Sequence, residues 1–309
     1  MRAAIFQKFG PPDVLEIREL ERPTPLPTEV LVRVRAIGLN PVDAYIRSGA
    51  FPILKPPAIL GWDISGVVEE VVPGVTRFKV GDEVFGMPLF PRAGHAYAEY
   101  VVSPSRQLAK KPARLDHAQA AALPLAGLTA WQALVEGANV GPGQRVLIHG
   151  GGGGVGHLAI QIAKARGAYV ITTVSTAKRG FVSELGADQV IDYKTEDFSK
   201  AVRDVDVVLE TVGGDYGTRS VNVLRPGGTL VTVTERTNAK LAAYTEQAGR
   251  KFVGIAVEPD YRDLEQLAAL VDAGKLRVHV SERVPLDQVV RAHQLLDAHG
   301  ITGKIVLTV

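Results

Sequence analysis

Five consecutive glycines, Gly150–Gly154, sit inside the segment 149–164, HGGGGGVGHLAIQIAK. Glycine loses more conformational freedom on folding than any other residue, so a fold that keeps five together needs bare backbone at that point. The residues before the run, RVLIHG, have the apolar, β-branched character of a buried strand. The residues after it, HLAIQIAKARG, place Leu158, Ala159 and Ile162 on one helical face. The glycines therefore fall at a strand-to-helix turn. Gly151, Gly153 and Gly156 satisfy G-x-G-x-x-G there, and with Gly154 and Val155 they form a candidate phosphate cradle. A side chain would hold a pyrophosphate away from the backbone, whereas the free N–H groups of a helix start bind its charge. A tight turn alone needs roughly one or two glycines, so it does not account for the run.

The cofactor's identity is read further on. A site for NAD usually carries an acid about 20 residues downstream, for the ribose hydroxyls. Here that region is TTVSTAKRG, with Thr172, Thr173 and Ser175 at the strand end and no acid. Lys178 and Arg179 follow at once. A hydroxyl and two cations suit a 2′-phosphate, and an acid would repel it. The pattern predicts NADPH, with Ser175, Lys178 and Arg179 as its readers. The alternative is that Lys178 and Arg179 open an ordinary solvated helix.

Beyond this turn the chain alternates. YVITTVS, QVIDY, DVVLETVG, TLVTVT and FVGIAV read as strands, with helical stretches between them, so a parallel sheet with crossover helices is expected. The first hundred residues differ. RAAIF, VLEIREL, EVLVRVRAIGL, GVVEEVV, GDEVFG and AYAEYVV are short strands amid dense proline. YRDLEQLAALVDAG and LDQVVRAHQLLDAHG read as helices near the end, before a final strand GKIVLTV.

Composition removes several function classes. The 309 residues leave room for about two domains. The net charge of +2 comes with no dense Lys/Arg run, so neither nucleic acid nor a membrane surface is an expected partner. The absence of cysteine excludes disulfides, a cysteine nucleophile and thiolate metal sites. The start, MRAAIFQKFGPPD, lacks the features of a secretory signal. The most apolar window, 118–135, carries Gln119, Pro124, Gly127, Thr129 and Gln132 and reads as buried helical packing with a break. A cytoplasmic location is expected.

Several motifs then converge. AAALPLAGLTAWQAL, the loop ending GGVG, ELGADQVIDY, ETVGG and LRPGG, with LNPVDAYIRSGAFP and GWDISGVVEEVVPGVTRFKVGDEVFG, span essentially the whole chain. Together they resemble the zinc-free quinone oxidoreductase, or zeta-crystallin-like, branch of the medium-chain dehydrogenase/reductase superfamily. The resemblance implies an α/β fold with a GroES-like β-rich catalytic domain, residues 1–117 completed by 258–309. A doubly wound Rossmann domain, residues 118–257, would be inserted between these parts, with the cofactor in the cleft between domains. Periodicity alone does not show that discontinuity.

Zinc-dependent relatives carry Cys where this chain has Asn40, Gly-His-Glu where it has Gly61-Trp62-Asp63, and a four-cysteine lobe; none of those ligands exists here. No metal is expected. The resemblance implies that Asn40 and Tyr45 are catalytic, with Asn40 also facing the cofactor. Their plainer alternatives are a turn residue before Pro41 and a half-buried aromatic on a short helix. Asp43 is expected to be a structural hydrogen-bonding residue, and His157 a packing or capping one. Thr129 would lie near the nicotinamide, Tyr193 beside the adenosine phosphate, and the backbone of Val233, Thr234, Gly254, Ile255 and Ala256 along the nicotinamide half. The implied activity is NADPH-dependent hydride transfer to a quinone or an α,β-unsaturated carbonyl. An enoyl-thioester reductase and a catalytically idle NADPH-binding sensor or structural protein are the alternatives. A homodimer joined at the sheet edge near 252–257 is also expected.

Overall fold

Six parallel strands carry the glycine turn. Their spatial order is Gln189–Asp192, Tyr169–Val174, Arg145–Ile148, Val205–Glu210, Leu224–Thr232 and Lys251–Gly254. The computed structural model describes residues 1–309. Parallel neighbours cannot be joined by a tight hairpin. The helices Gly154–Ala165, Arg179–Glu184, Tyr216–Val221 and Ala239–Gln247 make crossovers. The chain winds outward from Arg145–Ile148 to one edge, then returns to Val205–Glu210 on its other side and winds to the opposite edge. This is the doubly wound Rossmann arrangement, and the order reverses between Arg145–Ile148 and Val205–Glu210. Ligands of such sheets bind beyond the strand C-termini at that reversal. The glycine turn leaves the sheet there.

Leu147, Ile171, Ile191, Val208 and Leu230 line the sheet, and Phe198, Val221 and Leu241 pack on it. Each such side chain, fully buried, contributes about 1.5–3 kcal/mol of transfer free energy. The helix after the glycines begins at Gly154, earlier than its apolar face implies, so the loop itself supplies the first helical turn. Its residues 156–163 are all buried, not one face alone. The two polar residues this encloses are satisfied. His157 Nδ1 lies 2.9 Å from the Gly153 carbonyl. Gln161 Nε2 donates to the His157 and Arg277 carbonyls, and its Oε1 accepts from Arg277 N–H.

Residues Thr129–Val257 and Gly274–Arg277 make up this unit. The remainder, Met1–Leu128, Glu258–Ala273 and Val278–Val309, forms a second compact unit. Its larger sheet runs Val280–Pro285, Lys304–Thr308, Glu29–Gly38, Asp63–Val71, Glu83–Gly86 and Leu108–Lys110, with Tyr100–Pro104 also paired to Glu29–Gly38. A smaller sheet joins Leu15–Glu19, Arg2–Phe6 and Ala58–Ile59. The C-terminal strand is interior to the larger sheet. Register puts Gly38 opposite both Val306 and Asp63. The window 118–135 is helical with a break, as expected: His117–Ala121, then Pro124–Trp131, then a π-helical turn, Gln132–Gly137. No helix is long and apolar enough to cross a membrane.

Candidate active site

The glycine turn is too crowded for side chains. A Cβ on Gly151 would lie 2.0 Å from Thr172 Oγ1, and one on Gly156 would lie 2.2 Å from the Gly150 carbonyl oxygen. Both distances are below contact, so the turn keeps its shape only with glycine. The strand-end threonines build it from beneath. Thr172 Oγ1 donates to the Ile148 carbonyl at 2.8 Å. Thr173 Oγ1 accepts from Gly150 N–H at 3.3 Å and lies 3.1 Å from His149 Nδ1. Of the three hydroxyls at that strand end, only Ser175 is not fully buried. His149 is enclosed between Thr173 and Ser220, and burial pushes its pKa down to about 3, so the imidazole is neutral.

Above the turn lies Lys178. A Cβ on Gly152 would sit 2.5 Å from Lys178 Cδ, so the lysine stem crosses bare backbone. Burial lowers its pKa from the usual lysine value. Arg179 opens the helix Arg179–Glu184 and is exposed. Gly153 caps the helix Gly154–Ala165 in an extended conformation, with no side-chain hydrogen bond to that N-terminus. The donor groups of Gly154, Val155 and Gly156 and the clearance left by the glycines fit a dinucleotide pyrophosphate, and the cation at Lys178 lies beside them for a further phosphate. Tyr193 is exposed just past the neighbouring strand. Asp192 beside it accepts from the Thr176 hydroxyl and from Lys194 N–H, and the Thr176 bond holds its pKa below the usual range.

The other side of the reversal is organised by a residue that sequence reasoning did not single out. Glu210 ends its strand fully buried. It accepts from Thr232 Oγ1 at 2.9 Å, Thr234 Oγ1 at 2.7 Å and the backbone N–H groups of Val212 and Gly213. One carboxylate thus ties the loop after one strand to the end of the next. Its signal was present, as a charge closing the strand VDVVLE directly after the apolar run Val207–Leu209. Val233 N–H donates to the Glu210 carbonyl, and Ile255 N–H to that of Thr232. Gly254 pairs with Thr232 across the sheet edge, where a Cβ would lie 2.2 Å from the Arg236 carbonyl oxygen. Val233, Thr234, Gly254 and Ile255 are thereby gathered at adjacent strand ends, with Ala256 exposed beyond them. Thr129 is buried in its helix, just before the π-helical turn.

Asn40 and Tyr45 belong to the other unit. Asn40 caps the helix Pro41–Ser48 and is 1% exposed, whereas Tyr45 on that helix is 51% exposed. Asn40 Nδ2 donates to Asp63 Oδ2 at 2.9 Å, and its Oδ1 accepts from Lys304 Nζ. Lys304 Nζ also donates to the Leu39 carbonyl at 2.7 Å and lies 3.5 Å from Asp63 Oδ2. Burial raises the Asp63 pKa and lowers that of Lys304, each opposed by the other's charge. Asp43 is the structural residue expected. Its Oδ2 accepts from Asn40 N–H at 2.8 Å and Tyr97 OH at 3.1 Å, while Oδ1 is buried without a partner. Burial pushes its pKa up to about 7. The network continues from Tyr97 OH through His293 to Arg47 and Asp297.

This donor set does not fit zinc. A lysine amine occupies the space between Asn40 and Asp63, and Trp62 is buried with its indole N–H given to the Arg92 carbonyl. No three His, Cys, Asp or Glu side chains are grouped to hold a metal.

Residues 26–113 match the alcohol dehydrogenase GroES-like domain, and residues 185–307 match the family described as zinc-binding dehydrogenase. The chain is 36% identical over 321 residues to a quinone oxidoreductase of Pseudomonas aeruginosa, covering 98% of each protein. It is 34% identical over 330 residues to a 2-haloacrylate reductase of Burkholderia sp, covering 99% of this chain and 98% of that protein. The crystal structure of Escherichia coli quinone oxidoreductase complexed with NADPH superposes with a TM-score of 0.91 at 30% identity, over 100% of both chains.

Proposed function

We propose that this chain, which belongs to the quinone oxidoreductase branch of the medium-chain dehydrogenase/reductase superfamily, reduces a quinone or an α,β-unsaturated carbonyl with NADPH and without a metal. It is an NADP-dependent oxidoreductase with a GroES-like domain and a Rossmann domain. One observation carries the cofactor reading: the side chain of Lys178 crosses the bare glycine turn. Ser175 and Arg179 flank it, and the strand Tyr169–Val174 ends without an acid.

Bound NADPH supplies the hydride. Gly151, Gly153, Gly154, Val155 and Gly156 bind its pyrophosphate through backbone donors, and Ser175, Lys178 and Arg179 bind the 2′-phosphate. Tyr193 covers the adenosine side. Thr129 and the backbone of Val233, Thr234, Gly254, Ile255 and Ala256 orient the nicotinamide. Asn40 and Tyr45 act on the acceptor. Its carbonyl oxygen gains negative charge on reduction, and a hydrogen bond from Tyr45 OH or from the Asn40 side-chain amide Nδ2–H stabilises that charge. Quinones and enones delocalise it themselves, so no Lewis acid is required. The 2-haloacrylate reductase relative is named for an activated C=C substrate, which supports the enone half of the reading.

The test is consumption of NADPH, and separately NADH, against an ortho-quinone, a para-quinone, an enal, an enone and an enoyl thioester. NADPH-specific turnover of a quinone or enone is expected. Turnover of the thioester alone, or of none, would overturn the acceptor assignment. The strand Lys251–Gly254 is an unpaired sheet edge, and a homodimer formed along it in the cytoplasm completes the proposal. Sedimentation at the monomer mass of 33.0 kDa would refute the dimer.

A further inference from the structure

We propose that Lys304 fixes the side-chain amide of Asn40 in one orientation, so that Asn40 offers the acceptor a single N–H and no oxygen. This deepens the reductase reading and rests on it.

The sheet register builds the arrangement. Gly38 lies opposite Val306 on one side and Asp63 on the other. Lys304, Asn40 and Asp63 therefore meet at one end of three adjacent strands, although Asn40 and Lys304 are 264 positions apart in the chain. Lys304 is 4% exposed and Asp63 fully buried. An ammonium has three N–H donors and no acceptor. Those of Lys304 face the Leu39 carbonyl, Asn40 Oδ1 and Asp63 Oδ2. Asp63 is committed as well, its Oδ1 accepting from Leu125 N–H at 2.8 Å.

Chemistry alone then sets the amide. With Oδ1 on the ammonium and Nδ2 on the carboxylate, both contacts attract. Rotated by half a turn, the NH2 group would face a cation and the oxygen an anion, and both contacts would repel. One Nδ2 hydrogen is spent on Asp63. The second is the one polar hydrogen of Asn40 left for a ligand. The cation on Oδ1 also draws electron density through the amide and strengthens that remaining donor. Such a group stabilises an oxygen that gains negative charge and gives nothing to a hydroxyl that must donate. Lys304 touches neither cofactor nor acceptor in this account; it is a positioning residue.

The chain has four asparagines, Asn40, Asn139, Asn222 and Asn238, so selective 15N-asparagine labelling gives a short amide spectrum. Asn40→Asp identifies the Asn40 pair by its loss. In the wild type the two Asn40 protons should be sharp, inequivalent and slow to exchange, and a saturating acceptor should shift one of them. Lys304→Met should broaden or merge the pair and lower kcat about 100-fold, the scale for losing a donor to a developing oxyanion. NADPH affinity should be unchanged, because the phosphate cradle is elsewhere. Lys304→Arg should restore the amide signals and most of kcat. Asn40→Asp keeps an acceptor for Lys304 but sets a carboxylate oxygen against Asp63 Oδ2 where the amide had donated, so it should melt lower and lose kcat to the same degree. Lys304→Gln, which drops the charge but can still donate to Asn40 Oδ1, carries the test if Lys304→Met does not fold, and should likewise broaden the Asn40 pair. Asn40 protons unaltered in Lys304→Met, or wild-type kcat in Asn40→Asp, would overturn the inference. A wild type without turnover of any acceptor, whose Asn40 signals still depend on Lys304, would instead strike the reductase reading and leave the fixed amide standing.

Discussion

At the residue scale the cofactor reading rests on Lys178 and Arg179. Replacing both with alanine should weaken NADPH binding about tenfold or more, as loss of charge-assisted phosphate contacts implies, and leave NADH nearly unchanged. Titration of both cofactors by fluorescence checks it, and equal losses would remove the pair as readers of the 2′-phosphate. Asp43 supports a second prediction. Its pKa is about 7 in the folded protein, against about 3.9 for an exposed aspartate, so the folded state holds the proton more tightly. That stabilisation is complete below about pH 4 and is lost as pH rises through about 7. Buried His293 and His149, both pushed down to about 3, act in the opposite sense, since stability falls as acid protonates the unfolded chain first. The difference between wild type and Asp43→Asn isolates the carboxyl. The melting temperature of Asp43→Asn relative to wild type should rise between pH 5 and pH 7.5. A constant difference would mean that Asp43 stays ionised. Residue types were legible in the sequence where a motif marked them, as for the glycines and Asn40. The partners of Asn40 were not, because nothing local links it to Lys304. Nor was the inward turn of Thr172 and Thr173, which depends on where the glycine loop folds back over the strand.

At the element scale the alternation of apolar runs gave the strands and helices, since burial on both faces of a parallel sheet leaves continuous apolar segments. The spatial order of those strands was not legible, because periodicity describes an element and not its neighbour. The reversal between Arg145–Ile148 and Val205–Glu210 comes from the pairing alone. The helix Gly154–Ala165 shows the same limit: its pattern marks one buried face, and packing encloses the rest. The junction of strand and helix is where the element is most exacting. A methyl at Gly156 would sit 2.2 Å from the Gly150 carbonyl oxygen. Backbone cannot rotate away as a side chain can, so the helix start must move. Gly156→Ala should cost about 1–3 kcal/mol, the usual range for overpacking, and weaken both NADPH and NADH, because the shared pyrophosphate site shifts. Calorimetry and cofactor titration read the two effects. Wild-type stability and affinity would show that the turn has room which the geometry denies.

At the scale of the whole molecule the chain order and the folded units disagree. The unit that begins at Met1 is closed by residues from the far end, with Lys304–Thr308 placed between Val280–Pro285 and Glu29–Gly38. Ile305, Val306 and Leu307 are buried there. Each contributes about 1.5–3 kcal/mol of transfer free energy, so the strand carries a share comparable with the net stability of about 5–15 kcal/mol typical of a domain. Its removal also leaves Asp63 buried without Lys304, and an uncompensated buried charge is itself strongly destabilising. The Rossmann unit uses nothing beyond Arg277. All six of its strands lie between Arg145 and Gly254. A chain ending at Gly300 should therefore lose turnover and become protease-sensitive throughout residues 1–128. Its Rossmann unit should survive digestion and still quench with NADPH, since every residue of the proposed phosphate site remains. The two tryptophans, Trp62 and Trp131, fall one in each unit and report them separately. Trp62 should become accessible to a quencher in the shortened chain, and Trp131 should not change. Loss of NADPH binding together with turnover would mean that the Rossmann unit cannot stand without the C-terminal strand, and that the two units fold as one.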